Sequence, residues 1–356
     1  MKDLYDVVVI GGGAAGLSGA IALARARRSV LVIDAGHPRN APAGHVHNYL
    51  GREGSPPGEV LAAGRADLEG YGGEVATGTV DRAEAVDGGF RLRVADGRAL
   101  GARRLLVATG LVDELPDVPG LAQRWGRDVL HCPYCHGYEV RDQAIGVLAT
   151  GPMTVHQALL FRQLSTDVIV FRHNGPDLSP DEREQLAARG VPVVEDEVVG
   201  LEVTDDRLTG VRLRSGDVVP RQALVVAPRF MARADVLVHL GLELEPREVN
   251  GHVIGAVVPA EPTGATAVPG VWVAGNVADM NAQVISSAAA GLFVGAQINA
   301  DLVAEDTRTA VVTYRNSAGE GLVTNAPAAT RLGGQPARVI TENSAPNGSS
   351  TVAIRP

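Results

Sequence analysis

Two cysteines occur in the chain, three positions apart, in His131-Cys132-Pro133-Tyr134-Cys135-His136. Two thiols at this spacing can close a small disulfide, and their reactivity follows the thiolate character set by their neighbours. A base beside them supplies or removes the proton that each exchange step needs. His136 follows the second cysteine and titrates near neutrality, which makes it the candidate acid/base; His131 can cap a turn and ranks behind it. Zinc is the competing chemistry, because Cys and His are both zinc ligands. Yet there is no second CxxC and no HxxxH, and four ligands within six residues strain a tetrahedron. The reading is a redox pair, with no metal.

The second chemical signal is Gly11-x-Gly13-x-x-Gly16. In such a turn the first glycine permits the bend, the second lets the backbone approach a pyrophosphate, and the third lets helix and strand pack closely. The phosphate charge then sits at the positive end of the following helix. Asp34 lies 23 positions after Gly11, where a carboxylate can bind a ribose 2′-hydroxyl and would repel a 2′-phosphate. FAD or NAD is therefore favoured over NADP.

Elements of the right kind surround both signals. Tyr5–Ile10 reads as a buried parallel strand, Ala14–Arg27 as a small-residue helix and Ser29–Asp34 as a second strand, a βαβ unit. Residues 36–58 read as loop, about 59–71 as helix, 74–107 as short strands with turns, and 112–120 as a linker. The plan then repeats, with strand Ala144–Ala149, helix Met153–Leu164 and strand Asp167–Phe171, and a short helix at Pro180–Arg189. A late strand, 271–274, leads into a long helix, 283–303. From about 307 the sequence loses period and reads as a poorly ordered tail.

The repeated turn is degenerate. Laid on the first, it has Ala149, Gly151 and Thr154 at the glycine positions, and Pro152 where a backbone N–H should face a phosphate. After the next strand comes Phe171-Arg172-His173-Asn174-Gly175, with one strong base where a 2′-phosphate site wants two. Tight NADPH binding is not expected.

Thr109-Gly110 after a strand, and Gly275-Asn276 before the last helix, resemble the second and third FAD motifs of low-molecular-weight thioredoxin reductases. Asn48 in His47-Asn48-Tyr49-Leu50-Gly51 resembles that family's flavin-contacting Asn. The resemblance spans about residues 4–304. It implies bound FAD, with Gly11, Gly13, Ala14, Ala15, Gly16, Asp34 and Ala35 on the adenosine diphosphate half. Asn48, Thr109, Gly110, Gly275 and Asn276 would serve the rest, with Gln283 and Val284 facing the isoalloxazine. His45 and His47 would then lie in a flavin-proximal loop as ordinary polar contacts. The implied fold is α/β, two doubly wound Rossmann-like domains with the second inserted in the first, in a homodimer. Residues 1–116 and 245–306 would form the FAD domain, 117–244 the CxxC-bearing domain with its degenerate NADPH-type site, and 307–356 the tail.

The sequence departs from thioredoxin reductases at two places. Asn276 replaces the usual Asp, and His136 replaces the Asp that serves there as acid/base. Both departures, with Cys132-Pro-Tyr-Cys-His-Gly137, resemble the dithiol oxidases that form the disulfides of gliotoxin- and holomycin-type antibiotics. That resemblance implies a small-molecule dithiol as substrate, Cys132 and Cys135 as relay, His136 as acid/base and O2 as acceptor giving H2O2. The alternatives are an NADPH- or ferredoxin-dependent thioredoxin or disulfide reductase, and a non-catalytic flavin-binding protein.

Composition agrees. The chain has 356 residues, enough for two domains, with 45% hydrophobic and 21% charged residues. Its net charge is −9 (32 basic against 41 acidic residues), which argues against a nucleic-acid partner. Two cysteines are too few for a disulfide-stapled secreted scaffold. Residues 7–24 are uncharged, but glycines interrupt them and acids precede them, unlike a signal peptide. Residues 280–300 are interrupted by amides and serines, unlike a membrane span. The expectation is a cytoplasmic protein.

Overall fold

The computed structural model describes residues 2–320. The chain divides into Met1–Glu305 and Asp306–Pro356; all that follows concerns the first unit unless stated.

Leu4–Ile10 sits in the middle of a seven-stranded sheet because Val7, Val8 and Val9 are apolar on both faces and fully buried. It pairs in parallel with Val30–Asp34 on one side and with Ala99–Val107 on the other. Glu74–Thr77 extends the first flank in parallel. The long strand Ala99–Val107 serves two neighbours. Residues 99–102 pair antiparallel with Gly89–Val94, and residues 105–107 pair in parallel with Val271–Val273. The helices Ala14–Arg25 and Val284–Glu320 approach the same side of this sheet. A Cβ at Gly291 would lie 1.9 Å from the Ala15 carbonyl oxygen, so only glycine permits their contact.

A second, all-parallel sheet of five strands repeats the plan. Ile145–Leu148 lies between Val168–Phe171 and Ala223–Val226, with Val193–Val194 and Val129–Leu130 at the edges. Its helix is Thr154–Phe161, shorter than the expected 153–164. The fold is thus α/β with two Rossmann-like sheets, as expected.

Two expectations are corrected. Residues 112–120 are not linker throughout, because Leu111–Glu114 is a strand paired antiparallel with Arg229–Ala232. Leu111 is buried and Asp113 is held by Arg39, contacts that a local reading of prolines cannot show. Together with Glu245–Val249 and His252–Val257 these strands form a four-stranded sheet. The second correction concerns residues 307–320, which continue the last helix instead of beginning a poorly ordered tail. No Gly or Pro interrupts the chain between Gly295 and Gly319, and residues 306–317 are exposed, so helix forms there without an apolar stripe to announce it. The rest of the expected tail, 321–356, lies outside the described residues.

That helix is long and apolar enough to cross a membrane by length and composition, with mean hydropathy 1.2 over its most apolar window. Yet Val294, Ile298 and Leu302 are buried against the first helix and sheet. Asp301 and Glu305 pair with Arg104, and Glu305 also with Arg103.

Candidate active site

One cavity of about 1160 Å³ runs from the first glycine turn to the cysteine pair. It is larger than the few hundred to about 1,000 Å³ of a typical small-ligand site, which leaves room for a cofactor and a second molecule.

At one end Gly11 has φ +104°, and a Cβ there would lie 2.4 Å from the Ala108 carbonyl oxygen. Gly16 packs the helix onto the turn, its hypothetical Cβ 1.9 Å from Gly11 O. Gly13 differs: a Cβ there would meet nothing within 4 Å. It stands at the start of the first helix, with no side chain capping the free N–H groups, and faces the cavity. A dinucleotide pyrophosphate fits this bare cradle. Asp34 receives the Gly12 N–H on Oδ1 at 3.1 Å and Arg65 on Oδ2 at 2.8 Å, so each oxygen keeps acceptor capacity for a ribose hydroxyl. Arg65 was not found from sequence. It lies 31 residues from Asp34, on the helix Pro57–Gly70, in no recognisable motif.

Thr109 and Gly110 line the middle of the cavity, tied to the returning chain by Thr109 Oγ1 to Arg233 O at 2.6 Å and Arg233 N to Gly110 O at 3.0 Å. Gly275, at φ +78°, brings its turn against Ala15. Asn276 donates through Nδ2 to the carbonyls of Asp279 at 3.0 Å and Ala282 at 2.9 Å. A carboxylate at this position would face those carbonyl oxygens with no proton to share, a physical reason for Asn here. Ala14, Ala15, Ala35, Gln283 and Val284 also line the cavity. Gly16 and Asn48 do not.

Asn48 adopts φ +58°, accepts nothing from the cavity, and donates Nδ2 to the Tyr134 carbonyl at 2.6 Å. It therefore ties the 45–55 loop to the cysteine turn. His47 supports the same tie, with Nδ1 2.6 Å from Glu53 and Nε2 3.4 Å from Glu139.

Cys132 and Cys135 are joined as a disulfide, with Cα atoms 5.2 Å apart, in a short helical turn that Pro133 opens. The Cys135 N–H donates to Cys132 Sγ at 3.1 Å. Such a contact favours negative charge on Cys132 when the bond opens. His136 N donates to Cys132 O at 3.1 Å, which fixes the residue beside the pair. Burial pushes the His136 imidazole below its ordinary pKa; Glu139 opposes this, and His47 and His45 add to it. The lowered pKa favours the neutral ring, which is able to accept a proton. His131 is also pushed down, chiefly by burial, with Nδ1 3.2 Å from Val226 O and 2.9 Å from Gln157 Nε2. Among the described residues no group of three or more His, Cys, Asp or Glu could hold a metal ion.

The second glycine-like turn also lines the cavity, and a Cβ at Gly151 would meet nothing within 4 Å, but its polar groups are engaged within the turn. Thr154 donates Oγ1 to Gly151 O at 2.7 Å, and its N–H points to the same carbonyl at 3.3 Å. Arg172 is held by Glu195 at 2.6 Å and Asp177 at 3.4 Å. His173 accepts the Val198 N–H on Nδ1 at 3.2 Å, and burial lowers its pKa against Glu197, which disfavours a positive charge there. Gly175 stands so close to Ala149 that a Cβ would lie 2.7 Å from both its Cβ and its O.

The model of the pyridine nucleotide-disulphide oxidoreductase family matches residues 5–292. Thioredoxin reductase sirT of Leptosphaeria maculans is 30% identical over 321 residues, covering 85% of this chain and 96% of the relative. Thioredoxin reductase tcpT of Claviceps purpurea (strain 20.1) is 29% identical, with the same coverage. Among solved structures, HlmI is 47% identical with a TM-score of 0.82, over 89% of this chain and 98% of that one. An oxidoreductase from Agrobacterium tumefaciens is 34% identical with a TM-score of 0.79, over 85% and 99%. Glycine cradle, cysteine pair and matched sequence agree: the chain belongs to the pyridine nucleotide-disulphide oxidoreductase family, as a thioredoxin-reductase-like thiol–disulfide oxidoreductase with FAD as its cofactor.

Proposed function

We propose that this enzyme oxidises a compact small-molecule dithiol to an intramolecular disulfide, with O2 as acceptor and H2O2 as by-product. The observation that carries the reading is the lack of spare groups at the second turn, where Pro152 offers no N–H, Thr154 is bonded to Gly151 O and Arg172 is taken by Glu195. A nicotinamide donor has little to bind there, while the cysteine pair lies on the wall of a wide cavity.

A substrate thiolate attacks Cys132, the Cys132–Cys135 bond breaks, and Cys135 leaves as thiolate. An imidazole nitrogen of His136 takes the proton of the second substrate thiol. That sulfur attacks the first, the product ring closes, and Cys132 leaves as a thiolate supported by the Cys135 N–H. Overall, the dithiol passes two electrons to the pair, which becomes two thiolates, and loses one proton to solvent and one to His136. When bound, FAD supplies an acceptor for those electrons and their transfer to O2. In this reading Gly11, Gly13, Ala14, Ala15, Asp34 and Ala35 hold its adenosine diphosphate half. Thr109, Gly110, Gly275 and Asn276 hold the middle, and Gln283 and Val284 lie at the ring. We also retain as proposals the inserted domain of residues 117–244, the homodimer, the cytoplasmic setting and a role in antibiotic biosynthesis.

The names of the relatives favour a second reading, an NADPH-dependent thioredoxin reductase. Anaerobic titration of the yellow protein, first with NADPH and then with a dithiol, separates the two. The proposal expects bleaching of the flavin band by the dithiol alone. Stoichiometric bleaching by micromolar NADPH would restore the reductase.

A further inference from the structure

Met153, His156, Gln157 and Leu160 all line the cavity that holds Cys132, Cys135 and His136. Their spacing puts them on one face of the helix Thr154–Phe161 and the residue that opens it. The helix follows the degenerate turn, and Gly151 and Pro152 line the same cavity. The segment equivalent to the phosphate cradle of the first sheet has become cavity wall beside the disulfide.

The chemistry of that wall is specific. None of its four side chains carries a fixed charge. Two of the three arginines that line the cavity are matched: Arg39 binds Asp113 through 2.7 and 2.6 Å bonds, and Arg229 binds Glu114 at 2.7 Å; the third, Arg233, stands with its backbone on Thr109 and Gly110, at the middle of the cavity. Gln157 is 4% exposed, and its Oε1 has no hydrogen-bond partner among the described residues. Turning the amide over does not remove the deficit. His131 Nδ1 cannot both donate to Val226 O and accept from Gln157, so one polar end stays unmatched. A neutral group able to donate and accept hydrogen bonds suits this wall. An anionic group would be stripped of water beside Met153 and Leu160 with no free cation on the stripe to receive it.

Resting on the dithiol-oxidase reading, we propose that the 153–160 stripe is the specificity wall of the substrate chamber and selects an uncharged dithiol bearing an amide or hydroxyl group over an anionic one. Dihydrolipoamide and dihydrolipoate test this, since they share a dithiol chain and differ in an amide against a carboxylate. Oxygen uptake by the FAD-loaded full-length enzyme should show kcat/KM at least about tenfold higher for the amide, expressed mainly in KM. His156 is exposed, so its variants should fold, and flavin absorbance per protein checks that they do. His156→Arg should narrow the preference about fivefold by lowering KM for the acid, and His156→Glu should widen it similarly. An equal amide-to-acid ratio in wild type and both variants, with both dithiols oxidised, would overturn the specificity wall and leave the dithiol oxidase standing. Failure of both dithiols, with NADPH bleaching the flavin, would sink the underlying reading and this proposal with it.

Discussion

Residues 11–16 and 149–154 hold equivalent places in the two Rossmann-like sheets, each joining a central strand to a helix. Each turn presents a glycine with open space beyond its Cα, Gly13 and Gly151, but the second follows its glycine with a proline that has no N–H and a threonine bonded to its own turn. The acid of the first half, Asp34, keeps spare acceptor capacity, whereas the base of the second, Arg172, is committed to two carboxylates. A binding cleft therefore depends less on the fold than on whether its polar groups are left unsatisfied by the protein. Tertiary structure survives in both halves, and on the proposed reading only the half with groups to spare holds a dinucleotide.

The sharpest way to break this contrast is Gly13→Val. A Cβ there meets no protein atom within 4 Å, so the fold and Tm should be kept while the flavin is lost, and oxidase activity with it. Flavin absorbance per protein after purification reads the outcome; a yellow, active variant would remove the first cleft from the FAD assignment.

Between the clefts, His136→Ala should slow dithiol oxidation by ~10²–10⁴. Since burial lowers the His136 pKa, the neutral base persists below the ordinary imidazole range and is lost only as pH falls through the lowered value. The wild-type rate should show an acid limb displaced below the imidazole norm, and the variant should lack it. A retained limb would move the role to another group.

Reopening the second cleft should have a smaller effect. The combination Ala149→Gly, Pro152→Gly and Glu195→Gln restores the first glycine of the motif, restores an N–H and removes the nearer of the two carboxylates that hold Arg172. Each recovered hydrogen bond is worth about 1 kcal/mol, so stopped-flow flavin reduction by NADPH should rise about tenfold, yet stay slower than reduction by a dithiol. No gain at all would place the loss of the nucleotide site elsewhere. Smallest of all, Arg172→Ala should leave dithiol oxidation within about twofold of wild type and cost at most about 1 kcal/mol in urea unfolding, as surface ion pairs do. A large loss of activity would show that the residue still serves a ligand.

Sequence made the first cleft legible because its requirements fall on the backbone, and glycine spacing is a backbone code. The second cleft was only half legible. Counting one strong base near residue 172 was possible, but seeing Glu195 and Asp177 close on it was not, since ion pairs across loops leave no local pattern. Arg65 escaped for the same reason. Asn48 was singled out by resemblance, and the structure puts its amide on the Tyr134 carbonyl, at the redox turn and outside the cavity lining. The strand Leu111–Glu114 and the helix over 307–320 were missed because pairing across more than a hundred residues and an all-exposed helix both lack a periodic signature.

The pairing of Leu111–Glu114 with Arg229–Ala232 has an evolutionary consequence. Glu114 and Arg229 stand opposite each other in register and are joined by an ion pair at 2.7 Å. The chain thus leaves and re-enters at one doorway, and everything between residues 115 and 228 starts and finishes at the same spot. Closing such an excursion costs entropy that grows only slowly with its length. Substitutions inside it need not disturb the strands on either side of the doorway. A change of sequence within such an excursion can therefore leave residues 4–107 and 271–305 with their sheet and glycine contacts unchanged.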